Sequence, residues 1–247
     1  MSCIKSRSHN WIVHLKNLYS SSTYRKEKNE LLIFGEKLIL EYTGSIKRIG
    51  FSTLCKKSIS DNILKKYHGI PKTLVCDAIF QHLFHEYVVA EVQLPLYDWN
   101  QPIKRLLVLD GLQDPRNIGA LIRSAAAFGW FHVFCLPECS DFFHPEAIRA
   151  SMGAFSRIHL KQGDLAELSE IIRKNSMKVV VSSCRENSAE MIKMNSICLV
   201  VGSESHGIQS DFTSFTPSFV HIDTSDLVDS LNVAVAGSIL MHSASRL

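Results

Sequence analysis

The sequence lacks any apolar run that approaches the roughly 18 residues needed for a membrane-spanning helix. Its first thirty residues are polar and basic, without the apolar centre of a signal peptide. It contains seven cysteines, an odd number that cannot all pair with one another. These features predict a cytoplasmic protein whose thiols are reduced and mostly buried as small hydrophobic groups.

Spacings typical of metal sites are also missing. No two cysteines form a C-x-x-C pair, and Cys135 and Cys139 are separated by three residues with no second pair nearby to complete a zinc site. The histidines are scattered along the chain. We therefore expect no structural metal.

Three common enzyme signatures are absent. The apolar run "RLLVLD" is followed by "GLQDPRNIG" and not by the G-x-G-x-x-G of dinucleotide-binding folds. There is no Walker A sequence, no G-x-S-x-G elbow and no His-Cys pairing for a covalent nucleophile. A nucleotide-binding oxidoreductase is therefore disfavoured.

Charge is distributed unevenly along the chain. Residues 1–104 carry 15 Lys and Arg against 9 Asp and Glu, whereas residues 105–247 carry 12 against 15. A basic half beside a mildly acidic half favours a polyanion as the partner of the first half. The alternative is that the lysines only keep that half soluble.

The chain divides into two parts by its pattern. Residues 1–98 read as a small unit of short strands and helices, beginning with a helix on which Trp11, Ile12, Leu15 and Leu18 share one face. Residues 99–104 read as a linker, because "LPLYDWNQP" has two prolines and no periodicity. Residues 105–247 alternate buried strands with helices, which predicts an α/β domain with a parallel sheet covered on both faces.

Three loops follow buried strands of this second part, and the carboxyl edge of a parallel sheet is where ligands bind. The first loop leads into a helix that we expect Asn117 to cap. Between Asn117 and Pro137 the only formal charge is Arg123. Helical angles place Arg123 opposite the core stripe of that helix (Ile118, Leu121, Ile122 and Ala125), beside the small residues Gly119, Ala120 and Ala127. Arg123 is thus a candidate for binding phosphate or hydroxyl groups, or else it pairs with a neighbouring carboxylate.

The second loop, "LVVGSESHGI", places Glu204 between Gly202 and Gly207. It is a candidate site, or equally a glycine-bracketed turn with a solvated glutamate. In the third loop, Ser230 or Asn232 caps a last helix whose face is lined by small residues, and such a face permits close packing.

Taken in order, the three loops resemble the motifs of the SpoU (TrmH-type) family of RNA ribose 2′-O-methyltransferases, in the SPOUT superfamily. The first motif is matched by Asp114-Pro115, Asn117, Gly119, Arg123 and Phe128-Gly129. The second is matched by Gly202, Glu204 and Gly207, and the third by "DSLNVAVA" from Asp229. "RASMGAF", from Arg149 to Phe155, fits the mid-domain turn, so the resemblance covers about residues 105–247.

The resemblance implies properties that spacing does not reveal. The fold would be a parallel sheet with a deep trefoil knot, which dimerises through the knotted region. The N-terminal part is more loosely similar, through "RKEKNELLIFGEKLILEY", to a ribosomal-protein-like RNA-binding domain. There Phe34 precedes Gly35 where the family usually has Glu.

The resemblance also implies a reaction and a site. The cofactor would be S-adenosylmethionine, bound by Gly202, Ile222 and Leu231, with Ser182 and Ser183 nearby. The catalytic set would be Arg123, Asn117, Glu204, Asn232 and Ser230. We expect the substrate to be structured RNA, rRNA of the 23S type rather than tRNA, with no membrane partner. The alternative is a non-catalytic RNA-binding assembly factor that retains the fold.

Overall fold

A computed structural model describes residues 3–183, 196–203, 207–225, 227–228 and 230–245. The chain forms two compact units. The first contains the residues up to Leu96 together with Phe143–Arg149, and the second contains Tyr97–Phe142 and the residues from Ala150 onward. In the described ranges, no helix is both long enough and apolar enough to span a bilayer.

The first unit is a mixed α/β structure. Its elements are β1 (Cys3–Ile4), α1 (Asn10–Ser20), α2 (Ser22–Lys28), β2 (Glu30–Phe34), α3 (Glu36–Glu41), β3 (Ile46–Ser52), α4 (Lys57–Lys66), β4 (Lys72–Val75), α5 (Asp77–Phe84) and β5 (Val88–Gln93). The strand order is β1-β4-β3-β5-β2, and β5 runs antiparallel to both of its neighbours. The apolar face of α1 predicted from the sequence is buried, with Leu15 and Leu18 fully inaccessible.

The second unit is built around six strands. Its elements are β6 (Arg105–Asp110), α6 (Pro115–Ala127), β7 (His132–Cys135), α7 (Pro145–Ser151), β8 (His159–Gln162), α8 (Leu165–Lys174), β9 (Lys178–Ser182), β10 (Ile197–Gly202), β11 (Ser218–Val220) and α9 (Val233–Ser245), with 3-10 turns at Ala154–Ser156 and Thr213–Phe215. The residues of helix α7 up to Arg149 group with the first unit.

The six strands form one sheet in the order β11-β9-β10-β6-β7-β8, and every pairing is parallel. The predicted parallel α/β sheet is therefore confirmed. Register places Gly202 beside Asp110 and Val220 beside Ser182. The loops that leave β6, β9, β10 and β11 consequently start at one edge of the sheet.

The start of α6 differs from the prediction. Asn117 does not cap this helix; Asp114 does, with a side-chain oxygen that accepts the N–H of Arg116 at 2.8 Å. Pro115 occupies the first helical position, where its fixed φ and missing N–H cost nothing. Asn117 lies in the first turn of the helix, so its side chain is free to make contacts elsewhere.

The expectation that the thiols are mostly buried is met in part. The six described cysteines are free, and Cys135, Cys139 and Cys198 are buried while the others are partly exposed. Burial raises the pKa of Cys139 to about 11. These three thiols are packing groups in the core.

Candidate active site

Arg123 lies on the exposed side of α6, as the helical angles predict, while Ile118, Leu121, Ile122 and Ala125 are buried. Gly119, expected beside Arg123, is buried with the core stripe. The guanidinium of Arg123 makes neither a hydrogen bond nor an ion pair with any described residue. By contrast, Arg116, two turns earlier on the same helix, binds the Asp114 carboxylate at 2.9 Å. Arg116 lowers the pKa of Asp114, chiefly through this side-chain hydrogen bond.

Helices α6 and α9 meet along a seam of small and polar side chains. Asn232 caps α9, since its Oδ1 accepts the N–H of Ala234 at 2.9 Å, and its Nδ2 donates to Oδ1 of Asn117 at 3.0 Å. Further along, the Ser238 hydroxyl donates to that of Ser124 at 2.7 Å. The first and third loops are therefore joined by an amide pair at the helix starts. Asn117 is held by α9, and none of the described hydrogen bonds links it to Arg123.

Between these two hydrogen bonds the helices come close together. A Cβ atom added at Gly237 would lie 2.5 Å from Cδ2 of Leu121. The small face predicted for the last helix thus has a packing role, because only a small residue fits at this point.

A buried carboxylate at the end of β6 organises the loop that follows β10. Asp110 is 1% exposed. It accepts the N–H groups of Gln209 and Ser210, at 2.7 and 2.8 Å, and the Ser210 hydroxyl at 3.1 Å. Sequence reasoning missed this residue. The available signal was an aspartate at the last position of an otherwise apolar strand.

Gly202 and Gly207 pack directly against each other at the exit of β10. Ser203 and Gly207 form an antiparallel bridge. The nitrogen-to-oxygen distances of its two backbone hydrogen bonds are 3.1 and 2.9 Å. A Cβ atom at Gly202 would collide with the carbonyl group of Gly207. Chain packing therefore accounts for the absence of a side chain at Gly202. Glu204, predicted to be catalytic, lies outside the described residues.

A pocket opens at the carboxyl edge of β9 and β11 and encloses about 460 Å³, part of it open to solvent. The lining residues are Ser182, Ser183, His221, Ile222, Thr224, Ser230, Leu231, Ala236 and Leu240. Five of them were singled out from the sequence: Ser182, Ser183, Ile222, Ser230 and Leu231. Gly202 is not among the lining residues.

His221 is a pocket residue that the sequence analysis missed. It directly follows β11, so the same strand-end rule that selected the three loops could have selected it. Its Nε2 lies 2.8 Å from Oδ1 of Asp223. Its Nδ1 is buried and has no hydrogen-bond partner in the described ranges. A buried imidazole nitrogen without a partner in a pocket wall is available to a ligand.

The sequence of this second unit matches a known family. The model of the SpoU rRNA Methylase family matches residues 104–242. The chain is 34% identical over 151 residues to the 23S rRNA (guanosine-2′-O-)-methyltransferase RlmB of Blochmanniella floridana, covering 60% of this chain and 59% of that protein. It is 27% identical over 141 residues to the 23S rRNA (guanosine(2553)-2′-O)-methyltransferase RlmP of Bacillus subtilis, covering 56% and 57%. The chain thus aligns with little more than half the length of these relatives.

The fold also has a close counterpart among solved structures. The SpoU methyltransferase AviRb from Streptomyces viridochromogenes, in complex with its cofactor AdoMet, superposes with a TM-score of 0.85. It is 18% identical and covers 96% of this chain and 97% of that one, so the likeness concerns the fold. From the family match over residues 104–242, we conclude that this chain belongs to the SpoU rRNA Methylase family.

Proposed function

We propose that the protein transfers a methyl group from S-adenosylmethionine to a ribose 2′-hydroxyl of structured RNA. The observation that carries the proposal is the pocket at the carboxyl edge of the sheet. Its lining includes four of the five residues expected to bind the cofactor, and Ser230 of the expected catalytic set. Family membership supports the same reaction.

The chemistry of the pocket suits this cofactor. Apolar side chains, such as Ile222 and Leu231, offer a surface for the flat adenine ring, and serine and threonine hydroxyls offer partners for polar groups. If Nε2 of His221 donates to Asp223, its buried Nδ1 accepts a hydrogen bond from the ligand.

When bound, the cofactor supplies a methyl group already activated by its sulfonium charge. The chain must orient the 2′-hydroxyl in line with that methyl group and stabilise the charge that develops on its oxygen. An arginine is a poor base, since its pKa exceeds about 12. Arg123 therefore acts as an electrostatic clamp on the RNA phosphate and the developing alkoxide, and the proton passes to phosphate or water.

Other predicted catalytic residues have positioning roles in this proposal. Asn232 and Asn117, hydrogen-bonded to each other, fix the starts of α9 and α6 and so the direction in which Arg123 projects. Ser230, in the pocket wall, helps to place the substrate nucleotide. Glu204 is the fifth residue of the proposed catalytic set.

We propose that the RNA substrate is ribosomal RNA rather than transfer RNA. The two relatives named above act, by their names, on 23S rRNA. The N-terminal unit is the RNA-docking part, with 14 basic against 5 acidic residues in positions 1–72. Among its exposed cations are Lys56, Lys57, Lys65 and Lys66, at the two ends of α4.

We further propose that residues 105–247 are knotted and that two chains dimerise through this region. Supporting the dimer, Val235 and Ile239 on α9 are 48% and 40% exposed and lie one helical turn apart. Ile239→Glu would weaken such a dimer, which light scattering coupled to gel filtration measures. A wild-type chain that is monomeric at micromolar concentration would contradict this part.

The reaction is tested by incubating the full chain with methyl-labelled S-adenosylmethionine and separate rRNA and tRNA fractions, followed by digestion to nucleosides. We expect label in a 2′-O-methylnucleoside from rRNA, and cofactor binding in calorimetry. His221→Phe, which removes the buried Nδ1, should weaken cofactor binding, whereas His68→Phe, at an exposed position, should not. Absence of cofactor binding would overturn the proposal. Binding without transfer to any RNA would favour the assembly-factor alternative.

A further inference from the structure

A second group of chemistry-bearing side chains lies in the N-terminal unit, outside the site described above. It joins His14 on α1, Glu30 at the start of β2 and Glu91 on β5. One potential ligand atom from each lies within 4.8 Å of the other two. Nε2 of His14 is 3.0 Å from Oε2 of Glu30 and 3.7 Å from Oε1 of Glu91.

The two carboxylates of this cluster are buried. Glu30 is 9% exposed and Glu91 8%. Oε2 of Glu30, which faces His14, is fully inaccessible and has no hydrogen-bond partner among the described residues. Nε2 of His14, 3.0 Å away, is the group that faces this oxygen, and a cation bound between the two atoms would satisfy both. Lys47 already supplies one cation to the cluster, 2.5 Å from the other oxygen of Glu30.

In each of the three side chains, one heteroatom has a partner outside the cluster. The other heteroatom faces the centre of the cluster. The Tyr24 hydroxyl lies 2.9 Å from Nδ1 of His14. The indole N–H of Trp11 donates to Oε2 of Glu91 at 2.8 Å. With Lys47 on Glu30, every converging side chain has an outer partner. Such outer hydrogen bonds orient the ligands of metal sites and set the tautomer of a ligating histidine.

We propose that His14, Glu30 and Glu91 bind a divalent metal ion such as zinc. Zinc takes imidazole nitrogen and carboxylate oxygen at about 2.0–2.2 Å. Two such ligands on a tetrahedral ion are roughly 3.3 Å apart, between the 3.0 and 3.7 Å distances from His14. The His14 side chain is 20% exposed and gives the ion a path to enter. The bound ion ties α1 to two strands of the sheet, which makes the site structural.

The site is tested on the full chain, freed of metal by chelator and kept reduced. Zinc is added in competition with a chromophoric chelator, and cobalt(II) is added in parallel for its visible absorption. We expect one zinc per chain and a higher Tm. The cobalt form should show tetrahedral bands without sulfur-to-cobalt charge transfer, because no thiol belongs to this cluster.

Variants separate this site from adventitious binding. Glu91→Gln keeps an acceptor for Trp11 but removes the charge, and it should weaken zinc binding at least 100-fold. Tyr24→Phe removes only the outer partner of His14 and should weaken binding about 10- to 100-fold. His68→Gln, an exposed histidine of the same unit, should change nothing. Equal zinc affinity in Glu91→Gln, a thiolate band in the cobalt form, or no binding by the wild type would each overturn the proposal and leave an ion-pair cluster.

Discussion

The two units of this chain treat buried charge in opposite ways. In the N-terminal unit, Glu30 and Glu91 are buried beside charged or ionisable partners, Lys47 and His14. In the C-terminal unit, the donors to the buried carboxylate of Asp110 among the described residues are neutral N–H and O–H groups. Arg123 in that unit is exposed on α6. Folding thus pairs buried charges in the first unit, while in the second it binds a buried charge with neutral donors.

The two sheets differ in the direction of one strand. In the first sheet, β1, β2, β3 and β4 run in one direction, and β5 alone runs in the opposite direction between β2 and β3. In the second, all pairings are parallel, and the loops after β6, β9, β10 and β11 leave from one edge. Loops that are distant in sequence are thereby brought together, as ligand sites require.

The largest effect is expected at Arg123. Because its guanidinium has no partner in the described part of the fold, Arg123→Ala should leave the free energy of unfolding within about 0.5 kcal/mol. It should lower kcat for RNA methylation about 10²- to 10³-fold, as does loss of one donor to a developing oxyanion. Arg123→Lys keeps the charge without the planar fork and should remain impaired.

Arg116→Ala is the matched control, since that arginine is exposed on the same helix but is paired with Asp114. Its kcat should stay near that of the wild type. Full turnover by Arg123→Lys would show that the clamp geometry is wrong. A loss of stability in Arg123→Ala would show that the residue has a structural partner.

The next effect is expected at Asp110. Asp110→Ala leaves the N–H groups of Gln209 and Ser210 without their acceptor, which should cost about 2–3 kcal/mol of unfolding free energy. Asp211→Ala is the control, because Asp211 also binds an N–H and a hydroxyl, both of Thr213, but is exposed to water. Urea denaturation measures both. Equal losses would mean that burial of Asp110 is not what matters.

Gly202 should show a smaller effect. Gly202→Ala forces the backbone of Gly207 to move, and we expect a loss of about 2 kcal/mol from overpacking. A Cβ atom at Gly69 meets nothing within 4 Å, so Gly69→Ala should be neutral or slightly stabilising. Thermal unfolding compares the two variants. If Gly202→Ala were as stable as the wild type, the close approach to Gly207 would not constrain the chain.

Much of the fold could be predicted because its signals are local. The apolar spacing on α1 and the core stripe of α6 follow from helical periodicity, and the parallel sheet follows from buried strands alternating with helices. The start of α6 was missed because two residues, Asp114 and Asn117, are both good caps. Pro115 decides between them, since it favours the first helical position.

Less of the site could be predicted, because its contacts join residues far apart in sequence. The hydrogen bond between Asn117 and Asn232 links positions 115 residues apart. No spacing rule relates His14 to Glu91. The expectation of no structural metal rested mainly on the spacing of the cysteines. The family resemblance named five of the nine residues that line the pocket, but His221, outside the quoted motifs, was found only in the structure.

The smallest predicted effect is a loss of unfolding free energy at low pH. Two histidines of the chain contrast in their surroundings. His14 faces two carboxylates, whereas His132 lies in the core, stacked on His159 at 4.7 Å, with its Nε2 buried and without a hydrogen-bond partner in the described chain. Burial, with a smaller contribution from His159, lowers the pKa of His132 to about 4, although Asp98 acts in the opposite direction. Its unfolded pKa is about 6.5, so the unfolded chain binds more protons between these values.

Stability from His132 is therefore complete above about pH 6.5 and is lost as the pH falls toward 4. We expect a loss of about 1–2 kcal/mol between pH 7 and pH 4.5, less than the full linkage value because water screens part of the charge. His132→Phe keeps an aromatic ring beside Trp99 and should flatten this part of the pH profile. His242→Phe, at an exposed position, should leave it unchanged. An unchanged slope in His132→Phe would show that His132 is not the source of the acid sensitivity.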